Sequence, residues 1–380
     1  MNWHDEFPQA QELIYLNHAA VSPWPLRTSE AVSQFAVENL QFGARNYPDW
    51  IKTETALREK LARLINAPSE ADIALQKNTS EALSVIAYGL EWREGDNVII
   101  SNQEFPSNRI VWESLARFGV ELKVADLDSA DSPESAVIDL IDNRTRLISI
   151  SSVQYATGLK IDCRQIGAAC QKQEVLFCID AIQSIGAHQF DARAYHADFV
   201  VADGHKWMMG PEGLALFYST PAARDRLGLL EYGWHMVKHR GDYDRQDWEP
   251  AVSAQRFECG SPNLLGAYAF NASLSLLEEI GMADVEQALS QNMSFLIEGL
   301  QEIEGLEIIG SNEHHRRAGI ITFRHPSVDP GHLHRSLIAA NVVCAYRGGG
   351  VRFSPHFYTP REKLERAIML TRDFLTQALS

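Results

Sequence analysis

The chain has 380 residues, of which 45% are hydrophobic, and its formal net charge is -16. A chain of this length can bury a large core and typically forms two domains, while its acidity argues against a nucleic-acid partner, because such proteins neutralise phosphates with lysine and arginine. The five cysteines form no CxxC pair and are odd in number, so we expect neither a disulfide framework nor a metal site.

The N-terminal segment, MNWHDEFPQAQELIYLNHAA, carries acidic residues and no long apolar stretch, which argues against a secretion signal. No run elsewhere in the chain approaches the length of a membrane-spanning helix. We therefore expect no membrane partner and predict a cytoplasmic protein.

Four short apolar runs predict buried strands. They are NVIIS (97–101), LISISSV (147–153), VLFCID (175–180) and DFVVA (198–202). Each is nearly continuous in Val, Ile, Leu and Phe, as is typical of strands covered on both faces. Amphipathic stretches such as SNRIVWESLARFG and CRQIGAACQKQ separate them. This alternation predicts βαβ units and a mostly parallel sheet.

The pattern changes after about residue 256. The stretch PAARDRLGLL before that point looks helical, and a longer helical stretch, LLGAYAFNASLSLLEEIG, follows it. Strand-like AGIITFRH, VVCAY and VRFSP then alternate with the helical segments GHLHRSLIAAN and REKLERAIMLTRDFLTQAL. We predict a large α/β domain over residues 18–255. We also predict a smaller α+β domain that consists of residues 256–380 together with residues 1–17.

Residues with chemical function follow the predicted strands. They are Phe105, Tyr155, Asp180 and Lys206. Open parallel sheets bind ligands beyond the carboxyl ends of their strands. Thr79 and Ser80 open a predicted helix, and such a helix start suits a phosphate. A lysine, an acid and a phosphate site at one edge are the parts of a pocket for pyridoxal 5′-phosphate (PLP).

The segment DAIQSIGAHQFDARAYHADFVVADGHKWMMGPEGLALFY closely resembles the core of the class V aminotransferase family of fold-type I PLP-dependent enzymes. This family includes cysteine desulfurases, kynureninase and isopenicillin N epimerase. The resemblance runs from YLNHAAVSPWP to VRFSPHFYTPREKL, and its most specific part is the spacing from Asp180 through Gln183 to Lys206. It implies an α/β fold of fold-type I, with PLP as the cofactor.

The resemblance implies four roles around the cofactor ring. Lys206 would form the Schiff base and move the substrate proton, which requires a lowered pKa. Asp180 would pair with the pyridine nitrogen, and Gln183 would bind the phenolic oxygen. Phe105 would stack on the ring. Each residue also has a plain structural interpretation, namely a surface lysine, a helix-capping acid, a solvated glutamine and a core phenylalanine.

Three residues would bind the cofactor phosphate within the chain, namely Thr79, Ser80 and His205. Ser261, in ECGSPN, matches a position that in relatives crosses a dimer interface to the partner's cofactor phosphate, so we predict a homodimer. The alternatives are a helix N-cap at Thr79, a satisfied core histidine at His205 and a Ser-Pro turn at Ser261.

At the substrate end, Arg352 would bind the substrate carboxylate through two hydrogen bonds. The alternative is a surface arginine on an edge strand. We expect Tyr155, His18 and Ala19 to contact the substrate as well.

The chain departs from the family pattern at three places. Desulfurases have a histidine where Phe105 stands, and a nucleophilic cysteine before the strand that carries the arginine. Here AYRGGGVRFSP contains no cysteine, and Cys344 falls on a predicted strand. Asp203 replaces a serine that binds phosphate in many relatives, and we expect it to face a backbone amide or His205.

We therefore predict an enzyme that acts at the α-carbon of an amino acid, as a lyase or an aminotransferase, after the substrate amine has displaced Lys206. The alternatives are a cysteine desulfurase or selenocysteine lyase-like activity and an epimerase activity. A non-enzymatic alternative is a PLP-binding sensor of amino acids.

Overall fold

The computed structural model describes residues 3, 5–128, 131–311 and 313–380. Residues 1, 2 and 4 of the predicted N-terminal part of the small domain lie outside the described residues. So do residues 129 and 130 of the predicted large domain and residue 312 of the predicted small domain.

The described residues form thirteen β-strands and eleven α-helices. The strands are β1 (Ile14–Tyr15), β2 (Ile73–Gln76), β3 (Asn97–Ser101), β4 (Glu121–Ala125), β5 (Thr145–Ser151), β6 (Leu176–Asp180), β7 (Phe199–Asp203), β8 (Ala215–Ser219), β9 (Glu307–Ile309), β10 (Ile321–Arg324), β11 (Val342–Val343), β12 (Ala345–Arg347) and β13 (Gly350–Phe353). The helices are α1 (Leu26–Phe42), α2 (Tyr47–Leu64), α3 (Thr79–Gly89), α4 (Ser107–Glu113), α5 (Pro133–Ile138), α6 (Cys163–Lys172), α7 (Pro221–Arg224), α8 (Leu264–Ile280), α9 (Met282–Gln301), α10 (Pro330–Ala339) and α11 (Arg361–Leu379).

A seven-stranded sheet in the order β2-β8-β7-β6-β5-β3-β4 forms the centre of the large domain. Its strands pair in parallel, except that β8 runs antiparallel to both β2 and β7. Every residue of β3, β6 and β7 is buried, because their apolar side chains pack into cores on both faces of the sheet. The four predicted strands and the mostly parallel sheet are confirmed.

Polar side chains fix where the helices next to the sheet begin. Asn78 caps α3 by accepting the amide of Glu81, and the carboxylate of Glu81 accepts the amide of Lys77. The predicted helix at PAARDRLGLL is α-helical only over α7. Beyond α7, the amide of Gly228 donates to the carbonyl of Gly89 on α3.

The small domain contains a four-stranded antiparallel sheet in the order β12-β13-β10-β9. Strand β1 pairs in parallel with β11, so residues near the N-terminus contact this half of the molecule. Its apolar core is built largely by α9, α10 and α11. Among the described helices, none combines the length and apolar character that a membrane crossing requires.

The packing of α8 differs from the predicted division at residue 256. Its side chains Ala267, Phe270 and Leu274 lie in the core of the large sheet, where α8 packs against α1 and α2. The core of the small domain begins instead in α9, at Leu289 and Met293. An amphipathic pattern identifies which face of a helix is buried, but it does not identify the element that covers that face.

Candidate active site

The carboxyl ends of β5, β6 and β7 meet at one edge of the large sheet. In the strand register, Ser151 lies opposite Asp180, and Asp180 lies opposite Val201, just ahead of the turn that carries Lys206. Parallel strands in register bring their following loops to the same edge. The edge therefore holds Asp180 and Lys206 together, as the sequence predicts.

A tight turn after β7 positions Lys206. The amide of Met209 donates to the carbonyl of Lys206 at 2.9 Å, and the amide of Gly210 donates to the carbonyl of Gly204 at 2.8 Å. Met209 is fully buried and has a φ of 55°, in the left-handed region that a residue with a side chain adopts at a cost. The turn is thus held in one conformation by the packing around it.

Gln183 and Gly186 support this turn from behind. The indole Nε1 of Trp207 donates to Gln183 Oε1 at 2.8 Å, and Gln183 Nε2 donates to the carbonyl of Ala19 at 3.0 Å. One N–H of the amide remains for a cofactor oxygen. Gly186 has a φ of 92°, and a Cβ there would lie 2.5 Å from the backbone carbonyl of Trp207, so only glycine fits.

Lys206 is 9% exposed, and its burial lowers the pKa of the amine to about 8. The negative charge of Asp180 opposes this lowering of the pKa, and the positive charge of Arg352 adds to it. Its Nζ lies 5.6 Å from the centre of the Phe105 ring. This lowered pKa increases the fraction of neutral amine near neutral pH, and Schiff-base and proton-transfer chemistry require the neutral form.

Burial raises the pKa of the Asp180 carboxyl to about 7, although the amide of Ile182 donates to it. The nearby carboxylate of Glu104 also raises the pKa of Asp180. An acid of raised pKa is a stronger base, which favours a shared proton with a pyridine nitrogen.

Glu104 is a buried anion to which the sequence analysis assigned no role. Its carboxylate accepts hydrogen bonds from Ser101 Oγ at 2.8 Å, Asn108 Nδ2 at 2.9 Å and the amide of Ser151 at 3.0 Å. These donors lie on β3, α4 and β5, so Glu104 links three elements of the large domain. The sequence feature that could have identified Glu104 is its position shortly after a predicted buried strand and directly before Phe105.

At the start of α3, Thr79 donates its amide to Asp203 Oδ2 at 3.2 Å. Asp203 Oδ1 lies 4.0 Å from His205 Nδ1, so Asp203 faces both groups that the sequence suggested for it. Burial lowers the pKa of His205 to about 4, so its ring is neutral. Ser80 is exposed and its Oγ bonds Ser107 Oγ at 2.8 Å.

Arg352 lies on β13 and is 2% exposed. Its Nη1 donates to the carbonyl of Tyr155 at 2.7 Å, and its Nε has no hydrogen-bond partner among the described residues. Burial lowers the pKa of Arg352 to about 10, and the charge of Arg347 adds to this effect. A buried guanidinium without an anionic partner is costly, so this site is suited to a ligand carboxylate.

The two aromatic residues of the site meet at its open side. The rings of Phe105 and Tyr155 contact each other edge to face with centroids 5.1 Å apart. Phe105 is 40% exposed, which leaves ring surface for a ligand to cover.

The polar groups of His18 and Ala19 bond within the protein, and the contact of these two residues with a substrate stays a prediction. His18 is fully buried, with Nδ1 2.8 Å from the carbonyl of Ser354 and Nε2 2.7 Å from the hydroxyl of Tyr358. The amide of Ala19 donates to Ser354 Oγ, and its carbonyl accepts from Gln183. Both residues have their polar groups occupied within the protein.

Ser261 is exposed and lies just before α8, whose N-cap is Asn263. Among the described residues, no hydrogen bond connects the Ser261 side chain with the candidate active site of the same chain. Its role toward a partner's cofactor, and the homodimer with it, stay predictions.

All five cysteines are free, and Cys344 is buried between β11 and β12. Burial raises the pKa of the Cys344 thiol to about 12. A thiol with this pKa forms little thiolate, so it is a poor nucleophile. The loop ahead of Arg352 contains Gly348 and Gly349 where a reactive cysteine would stand.

The residues present fit PLP. The lowered pKa of Lys206 suits an aldehyde, and the raised pKa of Asp180 suits a pyridine nitrogen. His205 Nδ1 is buried without a hydrogen-bond partner among the described residues, and it lies at the helix start that would hold the phosphate. The residues that would hold the cofactor are Lys206, Asp180, Gln183, Phe105, Thr79, Ser80 and His205.

The chain is similar to known proteins over most of its length. The family model for class V aminotransferases matches residues 14–366. The chain is 29% identical to a probable cysteine desulfurase of Methanothermobacter thermautotrophicus, over 95% of this chain and 94% of that protein. It is also 29% identical to a cysteine desulfurase of Yersinia pestis, over 84% of this chain and 80% of that protein.

Solved structures share the fold. The apo cysteine desulfurase of Thermococcus onnurineus NA1 superposes with a TM-score of 0.90 at 23% identity, over 99% of this chain and 98% of that one. The cystine C–S lyase C-DES, in complex with its product cysteine persulfide, superposes with a TM-score of 0.89 at 21% identity, over 97% and 99%. The match of the family model over residues 14–366 shows that the chain belongs to the class V aminotransferase family of PLP-dependent enzymes.

Proposed function

We propose that the protein is a PLP-dependent lyase that eliminates the β-substituent of a small sulfur-containing α-amino acid. The observation that carries this proposal is the buried, anion-free Arg352 close enough to Lys206 to lower the pKa of its amine further. Such a pair suits a molecule that bears an amine and a carboxylate on one carbon. Relatives named cysteine desulfurase and cystine C–S lyase support a sulfur-containing substrate.

When bound, PLP supplies an electron sink that makes the Cα–H of an amino acid acidic. Arg352 orients the substrate carboxylate, and Phe105 covers one face of the site. Lys206, buried and with a lowered pKa, takes the Cα proton. The carboxylate of Asp180 would accept a hydrogen bond from the pyridine nitrogen, and its raised pKa favours a proton shared between the two groups.

In the elimination, the Cα proton passes to Lys206, and the bond between Cβ and sulfur breaks. Sulfur leaves with the electron pair and takes up a proton. Water then hydrolyses the released enamine to a 2-oxo acid and ammonia. The overall reaction consumes one water and needs no oxidant or reductant.

The cysteines favour elimination over a persulfide-forming reaction. A desulfurase passes sulfur to a cysteine thiolate beside the substrate, whereas Cys344 is buried and burial raises its pKa to about 12. The loop Arg347–Gly350 contributes no thiol. Sulfur would therefore leave in a small molecule and not on the protein.

The test is a screen of the PLP-loaded protein against the common amino acids and cystine, with absorption spectra and product analysis. We expect equal release of 2-oxo acid and of a thiol, sulfide or persulfide from cysteine or cystine, unchanged in Cys344→Ala. Alanine formation with a protein-bound persulfide that Cys344→Ala abolishes would establish a desulfurase. Amino-group transfer without elimination would establish an aminotransferase, and spectral inertness toward every amino acid would favour a sensor.

A further inference from the structure

Asp203 places a carboxylate at the start of α3, where a phosphate would be bound. Its Oδ2 accepts the amide of Thr79 at 3.2 Å, and Thr79 is the first residue of that helix. The first amides of a helix are the donors that bind phosphate. Asp203 and a cofactor phosphate therefore compete for the same N–H.

Thr79 and the charge of Lys206 stabilise a charged Asp203, but burial outweighs them and the pKa of the Asp203 carboxyl is raised. Asp203 is 8% exposed, and burial raises the pKa of its carboxyl. His205 lies 4.0 Å away and is neutral, because burial lowers its pKa to about 4. Lys206 is the cation whose charge acts on Asp203, whereas Glu212 and Asp180 are further acids nearby.

A charged Asp203 beside a phosphate dianion would be strongly unfavourable in this partly buried site. A protonated carboxyl has the opposite effect, because its O–H can donate to a phosphate oxygen. A single proton thus converts Asp203 from a competitor of the phosphate into one of its ligands.

We propose that the phosphate group of the cofactor binds together with a proton on Asp203. The proposal rests on the PLP site described above and concerns the carboxyl group of Asp203 at the start of α3. It follows that affinity for phosphorylated cofactor falls as pH rises, and that affinity for unphosphorylated pyridoxal does not follow the same course.

The test measures binding of 4′-deoxypyridoxine 5′-phosphate to the full-length apoprotein across about pH 6 to 9. This analogue has no aldehyde, so Lys206 forms no covalent bond with it. We expect the dissociation constant of the wild type, relative to Asp203→Asn, to rise by up to about tenfold per pH unit over part of this range. Asp203→Ser should behave like Asp203→Asn. Glu212→Gln, which removes a neighbouring exposed acid, should keep the wild-type slope.

The ³¹P chemical shift of the bound analogue locates the proton. A dianionic phosphate in the wild type, with one proton taken up on binding as measured by calorimetry in two buffers, supports the proposal. A monoanionic phosphate, or a constant affinity ratio between the wild type and Asp203→Asn across the pH range, overturns it and leaves the PLP assignment intact. No binding by the wild type or any variant at any pH overturns both.

Discussion

Two buried regions of this molecule each contain an arginine, and the two arginines differ in whether a carboxylate pairs with them. Arg58 donates to Glu258 Oε1 at 2.5 Å and Oε2 at 2.7 Å, and to Glu54 Oε1 at 2.5 Å. The resulting network raises the pKa of Arg58. Glu54, His235 and Glu258 lie close enough to hold a metal ion, but Arg58 already bonds both carboxylates.

The active site contains the same kinds of groups without such pairs. Among the described residues, neither Lys206 nor Arg352 has a carboxylate oxygen within 4.0 Å, and burial lowers the pKa of both cations. A buried charge with its partner in the chain holds the fold together, and a buried charge without one is suited to a ligand. The comparison predicts that substitutions in the two regions differ in which property they change.

The largest expected effect is that of Lys206→Ala. Loss of the amine removes the covalent bond to PLP and the proton acceptor, so turnover should fall by about 10⁴-fold or more. The absorption band of covalently bound PLP should disappear in the same variant. Lys172→Ala, which removes an exposed lysine at the end of α6, is the matched control and should keep both. Retained turnover in Lys206→Ala would show that the site is elsewhere.

The same substitution at the two arginines separates structure from ligand binding. Arg58→Met leaves Glu54 and Glu258 buried without a cation and should lower the free energy of unfolding by about 3–5 kcal/mol. Arg352→Met removes an unpaired buried charge and should leave this free energy unchanged or raise it, while KM for the amino acid rises about 10²-fold. Urea denaturation and steady-state kinetics of both variants test this. Equal destabilisation by both would contradict the comparison.

The stability of the apoprotein should depend on pH through Lys206. Burial lowers the pKa of Lys206 to about 8, below its ordinary value of 10.5, so the folded chain loses this proton before the unfolded chain does. The penalty of burying the charge is present below about pH 8, and the free energy of unfolding then rises until about pH 10.5. The difference between wild type and Lys206→Met, followed by urea denaturation, should increase across this window. If the difference in the free energy of unfolding did not change with pH, Lys206 would be solvated in the apoprotein.

The smallest expected effect is that of Glu104→Gln, at an anion held by neutral donors. A carboxylate accepts from all its neighbours, whereas a glutamine amide turns N–H groups toward some of them. We expect a loss of about 1–3 kcal/mol in the free energy of unfolding. Glu121→Gln, at an exposed acid on β4, should have no measurable effect. If Glu104→Gln lowered the free energy of unfolding as much as Arg58→Met does, Glu104 would have the same structural role as the cluster of Arg58, Glu54 and Glu258.

Much of the fold follows from local sequence. The strands β3, β5, β6 and β7 are continuous apolar runs, and the start of α3 follows from the spacing of Asn78 and Glu81. Asp180, Gln183 and Lys206 were predicted from a spacing that resembles a known family, and Arg352 was predicted from the segment VRFSP. These features depend on residues near each other in sequence or on a motif.

Long-range contacts account for what the sequence did not predict. The ring of His18 bonds Ser354 and Tyr358, more than 330 residues away, so its motif could not reveal that both nitrogens are occupied. The donors to Glu104 come from three separate elements. The helix α8 packs with the large sheet although it follows the predicted domain boundary.

Lys206 belongs to the turn after the large sheet, whereas Arg352 belongs to the small sheet, where it is anchored to Tyr155 of the large domain by one hydrogen bond. An amino acid bound to Arg352 through its carboxylate and held at its amine end in the site around Lys206 would link the two halves of the molecule. Release of the product would remove this link, so the junction between the halves would become more rigid and then more flexible in each catalytic cycle. Amide hydrogen exchange on β13 should therefore be slower with a bound amino acid than without one.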